Sequence, residues 1–203
     1  MATMTGSTTR AMALMVGSVL ALMTISNAAR AGVLEGSVLH SQVDRPDVVE
    51  VERLLMGDPV LVADPATDGT LAWRQSFVQS AEVDSRNGAA VILISVGAPC
   101  AGGIAVSPYT PVVLKDGRLV RADRLEKGMI LARRDGVAVP VVAVAEGRAR
   151  GRMLSVEAVS DAEGKASGHV FAVNGLVIGD DVLARALGYV PAVAKAPLRK
   201  IQR

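Results

Sequence analysis

The chain alternates short apolar runs with turn-forming residues, and this pattern predicts strands rather than helices. Residues 60–62 and 91–94 are continuous apolar runs bounded by Gly, Pro or Asp. Such runs are too short for a stable isolated helix but suit a buried strand. Similar runs recur roughly every 8 to 12 residues, which is typical of an all-β domain. Between the last two runs, Asn174-Gly175 favours a type I′ hairpin turn, because both residues tolerate positive φ.

One block of sequence is repeated about 71 residues later. Residues 51–57 read VERLLMG and residues 122–128 read ADRLEKG, and each block is followed by an apolar run and an Asp-Gly pair. The repeat predicts a duplicated β unit. Each copy would contain a strand, a one-turn helical corner closed by a Gly with positive φ, a second strand, and a Gly turn into a third.

Two further elements are predicted from local signals. Near the C-terminus, Asp180 can cap a short helix over residues 181–187, and Gly188 can end it. Earlier in the chain, residues 71–83 read as one long strand, which would place Trp73 and Phe77 on the same face.

The N-terminal segment has the features of a secretory signal peptide. Residues 1–31 contain no acidic residue, carry Arg10 ahead of the apolar run 11–23, and end in small residues. The apolar run is too short to span a membrane, which takes about 20 residues. Cleavage is expected after Ala31, with Ala28 as a second cut point, and no Cys follows the apolar run to accept a lipid.

Cleavage would leave a neutral chain that is expected in the periplasm or outside the cell. The full sequence has 22 Lys and Arg against 20 Asp and Glu, and removing the leader takes away two arginines. A protein that binds nucleic acid needs a basic face for the phosphates, so no nucleic acid is expected as a partner. The predicted organisation is a signal peptide over 1–31, one all-β domain over 32–181, and a short helix with a basic tail over 182–203. No membrane span is expected after cleavage.

The chain has few residues that suit catalysis or metal binding. Cys100 is the only cysteine, so no internal disulfide can form, and a buried, inert thiol is the simplest reading. A thiol hydrolase that pairs Cys100 with His40 or His169 and a covalent thiol link to a partner both remain alternatives. His40 is expected to be exposed to solvent. Two separated histidines and one cysteine do not make a metal site, and no cofactor is expected.

Three stretches in this order resemble the Hint domain, which hedgehog autoprocessing domains, inteins and bacterial intein-like modules share. The first is the strand and corner over 51–67, which includes Gly57-Asp58-Pro59-Val60-Leu61. The second is the central block over 107–128, and the third is the closing hairpin over 169–177. The resemblance covers residues 32–181 and implies an all-β, horseshoe-shaped fold built from duplicated β units.

The resemblance also implies chemistry for which this chain lacks the residues. Hint autoprocessing needs a Cys or Ser nucleophile at the first position, a Thr-x-x-His segment that protonates the scissile amide and, in splicing members, a final His-Asn pair. The matching positions here are Gly32, then Ser107 and Thr110, then Ile178 and Gly179. Gly has no side chain that can attack, and a Thr hydroxyl cannot exchange a proton near neutral pH as His does.

We expect His169, the second histidine of the chain, to have a structural role. His169 matches a position before the closing hairpin where the family often has His, but no nucleophile matches nearby. The sequence therefore predicts an exported Hint-like protein without self-processing residues, which acts as a binding or structural module for a protein partner in the exported compartment. Autoprocessing or thiol-dependent hydrolysis at a non-standard site is the enzymatic alternative.

Overall fold

The computed structural model describes residues 30–41, 47–64, 70–84, 88–98, 102–159 and 168–190. Within these residues the chain forms fourteen strands and one α-helix. In chain order they are β1 (Val33–Leu34), β2 (Val38–His40), β3 (Val48–Glu50), β4 (Pro59–Ala63), β5 (Arg74–Asp84), β6 (Ala90–Val96), β7 (Gly102–Val106), β8 (Pro111–Val113), β9 (Leu119–Arg121), β10 (Ile130–Leu131), β11 (Val139–Arg148), β12 (Met153–Ala158), β13 (Val170–Val173), β14 (Leu176–Gly179) and α1 (Asp181–Ala186).

The strands form one antiparallel, hydrogen-bonded network that confirms the predicted all-β class. Neighbouring strands follow the order β10-β11-β6-β7-β1-β12-β5-β4-β13-β14-β8-β9, and β2 joins through β13 and β3. Isolated bridges from Leu114 to Leu131 and from Arg133 to Leu176 connect the two ends of this path. The sheet therefore curves back on itself, as a horseshoe requires.

The two copies of the duplicated β unit have the same local structure. Residues 51–57, the first corner, contain the 3-10 turn Val51–Arg53, and residues 122–128, the second corner, contain the 3-10 turn Ala122–Arg124. Each corner closes at a Gly with φ near +90°, at Gly57 and Gly128. The amide of Gly57 donates to the Val78 carbonyl at 2.9 Å, and that of Gly128 to the Val141 carbonyl at 2.8 Å.

The apolar runs form strands because they are buried on one or both faces. Every residue of β13 and β14 is buried. On one face, Phe171 and Ile178 pack in the main core, and on the other, Val170 and Val177 pack in a second cluster with Leu183 of α1. A strand with two covered faces needs apolar residues at successive positions, which explains why these runs do not alternate.

The predicted hairpin turn and helix are confirmed. Asn174 and Gly175 both have positive φ, as a type I′ turn requires. The Asp180 side chain caps α1 by accepting a hydrogen bond from the Leu183 amide, and the chain leaves the helix at Gly188, whose φ is +68°. No helix in these described ranges has the length and apolar character to cross a membrane.

The predicted long strand begins three residues later than expected, at Arg74, and the expectation that Trp73 and Phe77 share a face stays a prediction. Trp73 precedes β5 and packs against the second cluster. Phe77 lies within β5, opposite Pro59, and half of it is exposed.

The two corners carry different residues at their tips. This difference shows which corner positions must be apolar for the fold to form. Leu54 and Leu125 are buried at equivalent positions. The next two residues are Leu55 and Met56 in the first corner, with exposed fractions of 70% and 79%, and they align with a Glu-Lys pair in the second. The same backbone thus forms with apolar or charged residues at its tip.

We expect the double change Leu55→Glu/Met56→Lys to alter the free energy of unfolding by less than about 0.5 kcal/mol, because both side chains are exposed. Leu54→Ala should lower it by about 2–5 kcal/mol, since it leaves a cavity in the core. Urea unfolding of the three proteins measures both effects. Comparable losses in the two variants would contradict this account of the corner.

Candidate functional site

Gly32, which the resemblance aligns with the nucleophile, lies immediately before β1 and is held by two other aligned residues. Its carbonyl accepts a hydrogen bond from the Ser107 amide at 2.8 Å. Its amide donates to Thr110 Oγ1 at 3.1 Å, and the Thr110 hydroxyl donates to the Gly32 carbonyl at the same distance. The fold therefore brings Gly32, Ser107 and Thr110 together.

A tight turn fixes Thr110 in this position. The Thr110 amide donates to the Ser107 carbonyl at 3.0 Å, and the Tyr109 amide donates to Ser107 Oγ at 3.3 Å. Pro108 presets the backbone at the second position of the turn. The Thr110 carbonyl accepts from Ala122, the first residue of the second corner, and the Thr110 side chain is fully buried.

The residue before Gly32 is held by the C-terminal helix. Ala31 has an exposed fraction of 2%, and its amide donates to Asp181 Oδ1 at 2.8 Å. Asp181 lies in the first turn of α1 and is itself buried. The two residues of this segment are thus held by different elements. The turn at Thr110 binds Gly32, and Asp181 of the helix binds the amide of Ala31.

No side chain fits at Gly32 without movement of the backbone. An ideal Cβ at this position would lie 2.7 Å from the Leu154 carbonyl oxygen and 3.2 Å from its carbon. Both contacts are with the main chain of β12, which pairs with β1 through Val33 and Leu154. A Cys or Ser here would therefore displace β1 from β12.

The space beside the Ala31–Gly32 peptide is small and mostly apolar. The cavity has a volume of about 20 Å³. Its walls come from the start of β1, from β12 to β14 and from the start of α1, and its polar residues are Asp180 and Asp181. A volume of about 10–15 Å³ is enough for one water molecule, so this cavity has no room for a substrate.

The closing strand lacks space for a side chain at Gly179, the position that the resemblance aligns with the final asparagine. Ile178 pairs with Phe171 and Val112, and Gly179 pairs with Val170. A Cβ at Gly179 would lie 2.8 Å from Leu183 Cδ2 and 2.9 Å from the Pro111 ring. Gly179 therefore lets α1 and β8 approach β14 closely.

Asp180 is a buried acid that the sequence analysis treated only as a helix cap. Its carboxylate accepts hydrogen bonds from the Leu183 amide at 2.7 Å and from the His169 amide at 3.0 Å. Burial raises the pKa of Asp180 to about 6, although these two amides and the His169 side chain oppose the shift and Glu157 adds to it. The cap was visible in the sequence, but the burial was not.

His169 forms a pair with Asp64 that no sequence motif indicated. The imidazole is buried, and its Nδ1 lies 2.7 Å from Asp64 Oδ1. The other Asp64 oxygen lies 3.5 Å from Arg74 Nη2. His169 Nε2 has no hydrogen-bond partner among the described residues, so no nucleophile contacts it there.

The expectation that His40 is solvent-exposed was wrong. His40 belongs to β2, which lies between β3 and β13, and its side chain is half-buried. Its Nδ1 lies 3.5 Å from Arg134 Nη1. Burial lowers the pKa of His40, and the charges of Arg134 and Arg133 lower it further. Among the described residues, His40 makes no hydrogen bond to Gly32 or Thr110, so nothing there positions it as a general base for Gly32.

The other candidate reactive residue, Cys100, lies outside the described residues. Within the described ranges, no group of three His, Cys, Asp or Glu side chains is arranged to hold a metal ion. The arginines near the β11–β12 turn make local contacts: Arg148 donates to the Gly88 carbonyl, and Arg152 pairs with Glu35.

The raised pKa of Asp180 predicts a pH-dependent stability. Its folded-state pKa, about 6, exceeds the ordinary value of 3.8, so the native state binds the extra proton between these pH values. Its contribution to stability is therefore fully present below pH 4 and is lost as the pH rises to 6, by up to about 3 kcal/mol.

Urea unfolding of the native protein and Asp180→Asn at pH 4, 5, 6 and 7 measures this effect. The stability of the native protein relative to Asp180→Asn should fall across this range. The control Asp116→Asn changes an exposed carboxyl and should leave that fall in place. A difference between the native protein and Asp180→Asn that stays constant with pH would contradict the assignment.

Neither a known protein family nor a curated protein sequence matches the chain. Solved structures do match. A bacterial intein-like domain from Clostridium thermocellum superposes with a TM-score of 0.58 at 18% identity, and the match covers 73% of this chain and 97% of that one. A DnaB intein from Synechocystis sp. PCC 6803 gives 0.54 at 14%, covering 74% and 98%. The TvoVMA intein gives 0.52 at 10%, covering 73% and 96%.

These structures agree with the observed topology over most of the chain. Sequence identities this low establish the fold and not the activity. The chain has the Hint-like fold of inteins and bacterial intein-like domains.

Proposed function

We propose that this chain is an exported protein that uses the Hint fold as a binding or structural module and has no self-processing chemistry. The observation that carries the proposal is the position of Gly32. The resemblance aligns Gly32 with the nucleophile, Gly32 has no side chain, and the Leu154 carbonyl takes the space that a Cβ would need. The leader sequence supports export to the periplasm or beyond.

The groups around Gly32 do not replace the missing chemistry. An N-to-S or N-to-O acyl shift requires a sulfur or oxygen that attacks the preceding carbonyl, and a base that takes its proton. The nearest hydroxyl, on Thr110, makes hydrogen bonds to the amide and carbonyl of Gly32. His40 contacts Arg134, and His169 contacts Asp64, so neither histidine is available to Thr110 as a base.

A binding role is supported by apolar side chains that the fold does not need. Leu55 and Met56 are mostly exposed at the tip of the first corner, whereas Glu126 and Lys127 occupy the same positions in the second corner. Because both corners share one backbone geometry, packing within the domain does not explain the apolar pair. Contact with an apolar surface of another exported protein does explain it.

The absence of self-processing predicts one stable mass. The purified protein, incubated with and without a strong thiol nucleophile, should give a single, unchanged intact mass over time, because no acyl shift forms a thioester for the thiol to attack. Release of a defined fragment would overturn the proposal. Parallel incubation of Cys100→Ser identifies the thiol-dependent alternative, in which the fragment would form only when Cys100 is present.

The binding role predicts a partner that depends on the first corner. After cross-linking in the exported fraction, a protein should co-purify in a fixed ratio with the native chain and should be lost with Leu55→Glu/Met56→Lys. The reciprocal control Glu126→Leu/Lys127→Met alters the second corner and should retain the partner. A native chain that yields no stoichiometric partner, or a partner unaffected by the first-corner change, would contradict a role for this surface.

A further inference from the structure

The residues just before Gly32 are part of the folded domain, although they resemble the end of the leader. Ala31 is buried in a small cluster with Ala184 and Val190, against which Tyr109 and Tyr189 pack. Ala184 belongs to α1, and Val190 follows it. Ala31 therefore fills space between the helix and the sheet instead of extending from the surface.

Polar contacts also hold Arg30 and Ala31 against the folded domain. The Ala31 amide donates to Asp181 Oδ1 at 2.8 Å, in a buried setting. A buried carboxylate that loses a hydrogen-bond donor is costly, because water does not replace it. The Arg30 guanidinium lies 2.6 Å from Glu82 of β5, and both side chains are partly exposed. Ala31 is therefore buried, whereas the side chain of Arg30 is partly exposed to solvent.

A cut after Ala31 would remove all of these contacts. Asp181 would lose the Ala31 amide, Ala184 and Val190 would lose their cover, and Glu82 would lose its counter-ion. A new ammonium group on Gly32 would form beside the hydroxyl of Thr110, which is fully buried. Once the domain has folded, the Ala31–Gly32 bond is also inaccessible to a protease, because Ala31 is buried.

We propose that the leader is cleaved between Ala28 and Ala29, so that the mature chain begins Ala29-Arg30-Ala31-Gly32. The sequence permits this cut, because Ser26 and Ala28 satisfy the small-x-small pattern that a signal peptidase requires. Hydrolysis adds one water across the Ala28–Ala29 bond and leaves a carboxylate on the leader and an ammonium on Ala29. Arg30 and Ala31 then remain in the mature chain with their contacts to the domain. The inference rests on the proposed export of the chain.

The test is the N-terminal sequence and intact mass of the protein recovered from the exported fraction of cells that express the full chain. A chain that begins at Ala29 supports the proposal. A chain that begins at Gly32, or at any other residue, overturns it and leaves export intact. A chain that stays in the cell with its leader attached overturns the cleavage site and export together, so the two failures are distinguishable.

Two matched substitutions identify which small-residue pair the peptidase uses. Ala28→Glu places a charge directly before the proposed cut and should abolish release of a chain that begins at residue 29. Ala29→Glu removes a small residue of the Ala29-x-Ala31 pattern but leaves Ser26 and Ala28 unchanged before the proposed cut, so processing should stay at its native level. Loss of processing in Ala29→Glu together with native processing in Ala28→Glu would overturn the proposal. Neither substitution changes a residue within the packed cluster.

Discussion

The close insertion of β1 between β7 and β12 is the constraint on which this structure depends. β1 has only two residues, yet it pairs with Val106 on one side and with Met153 and Leu154 on the other. The chain enters this slot at Gly32, where the backbone lies so near the Leu154 carbonyl that a Cβ would meet it at 2.7 Å. Glycine is the residue that permits this approach.

The contacts around Gly32 are those of a structural clamp. Thr110 and Ser107 hold the amide and carbonyl of Gly32, and Asp181 holds the amide of Ala31. These hydrogen bonds fix the N-terminal segment to the turn and to the helix, and so they stabilise the folded scaffold.

Local signals predicted the elements whose conformation depends on one or two residues. Asn174-Gly175 formed the expected turn because both residues tolerate positive φ, and Asp180 capped α1 because its carboxylate reaches the Leu183 amide. An expectation about burial, which depends on residues far apart in the chain, was less reliable. His40 was expected to be exposed, but Arg134, 94 residues away in the chain, lies beside it.

The sequence alone determined the class of fold, the duplicated corners and the order of the Hint-like motifs. These follow from residue identity, spacing and local backbone preference. Only the tertiary structure decided that no side chain fits at Gly32, that Asp180 and Asp181 are buried, and that Ala31 belongs to the core. The physical reason is that each of these properties depends on atoms from strands or helices far apart in the chain, whose distances no local pattern encodes.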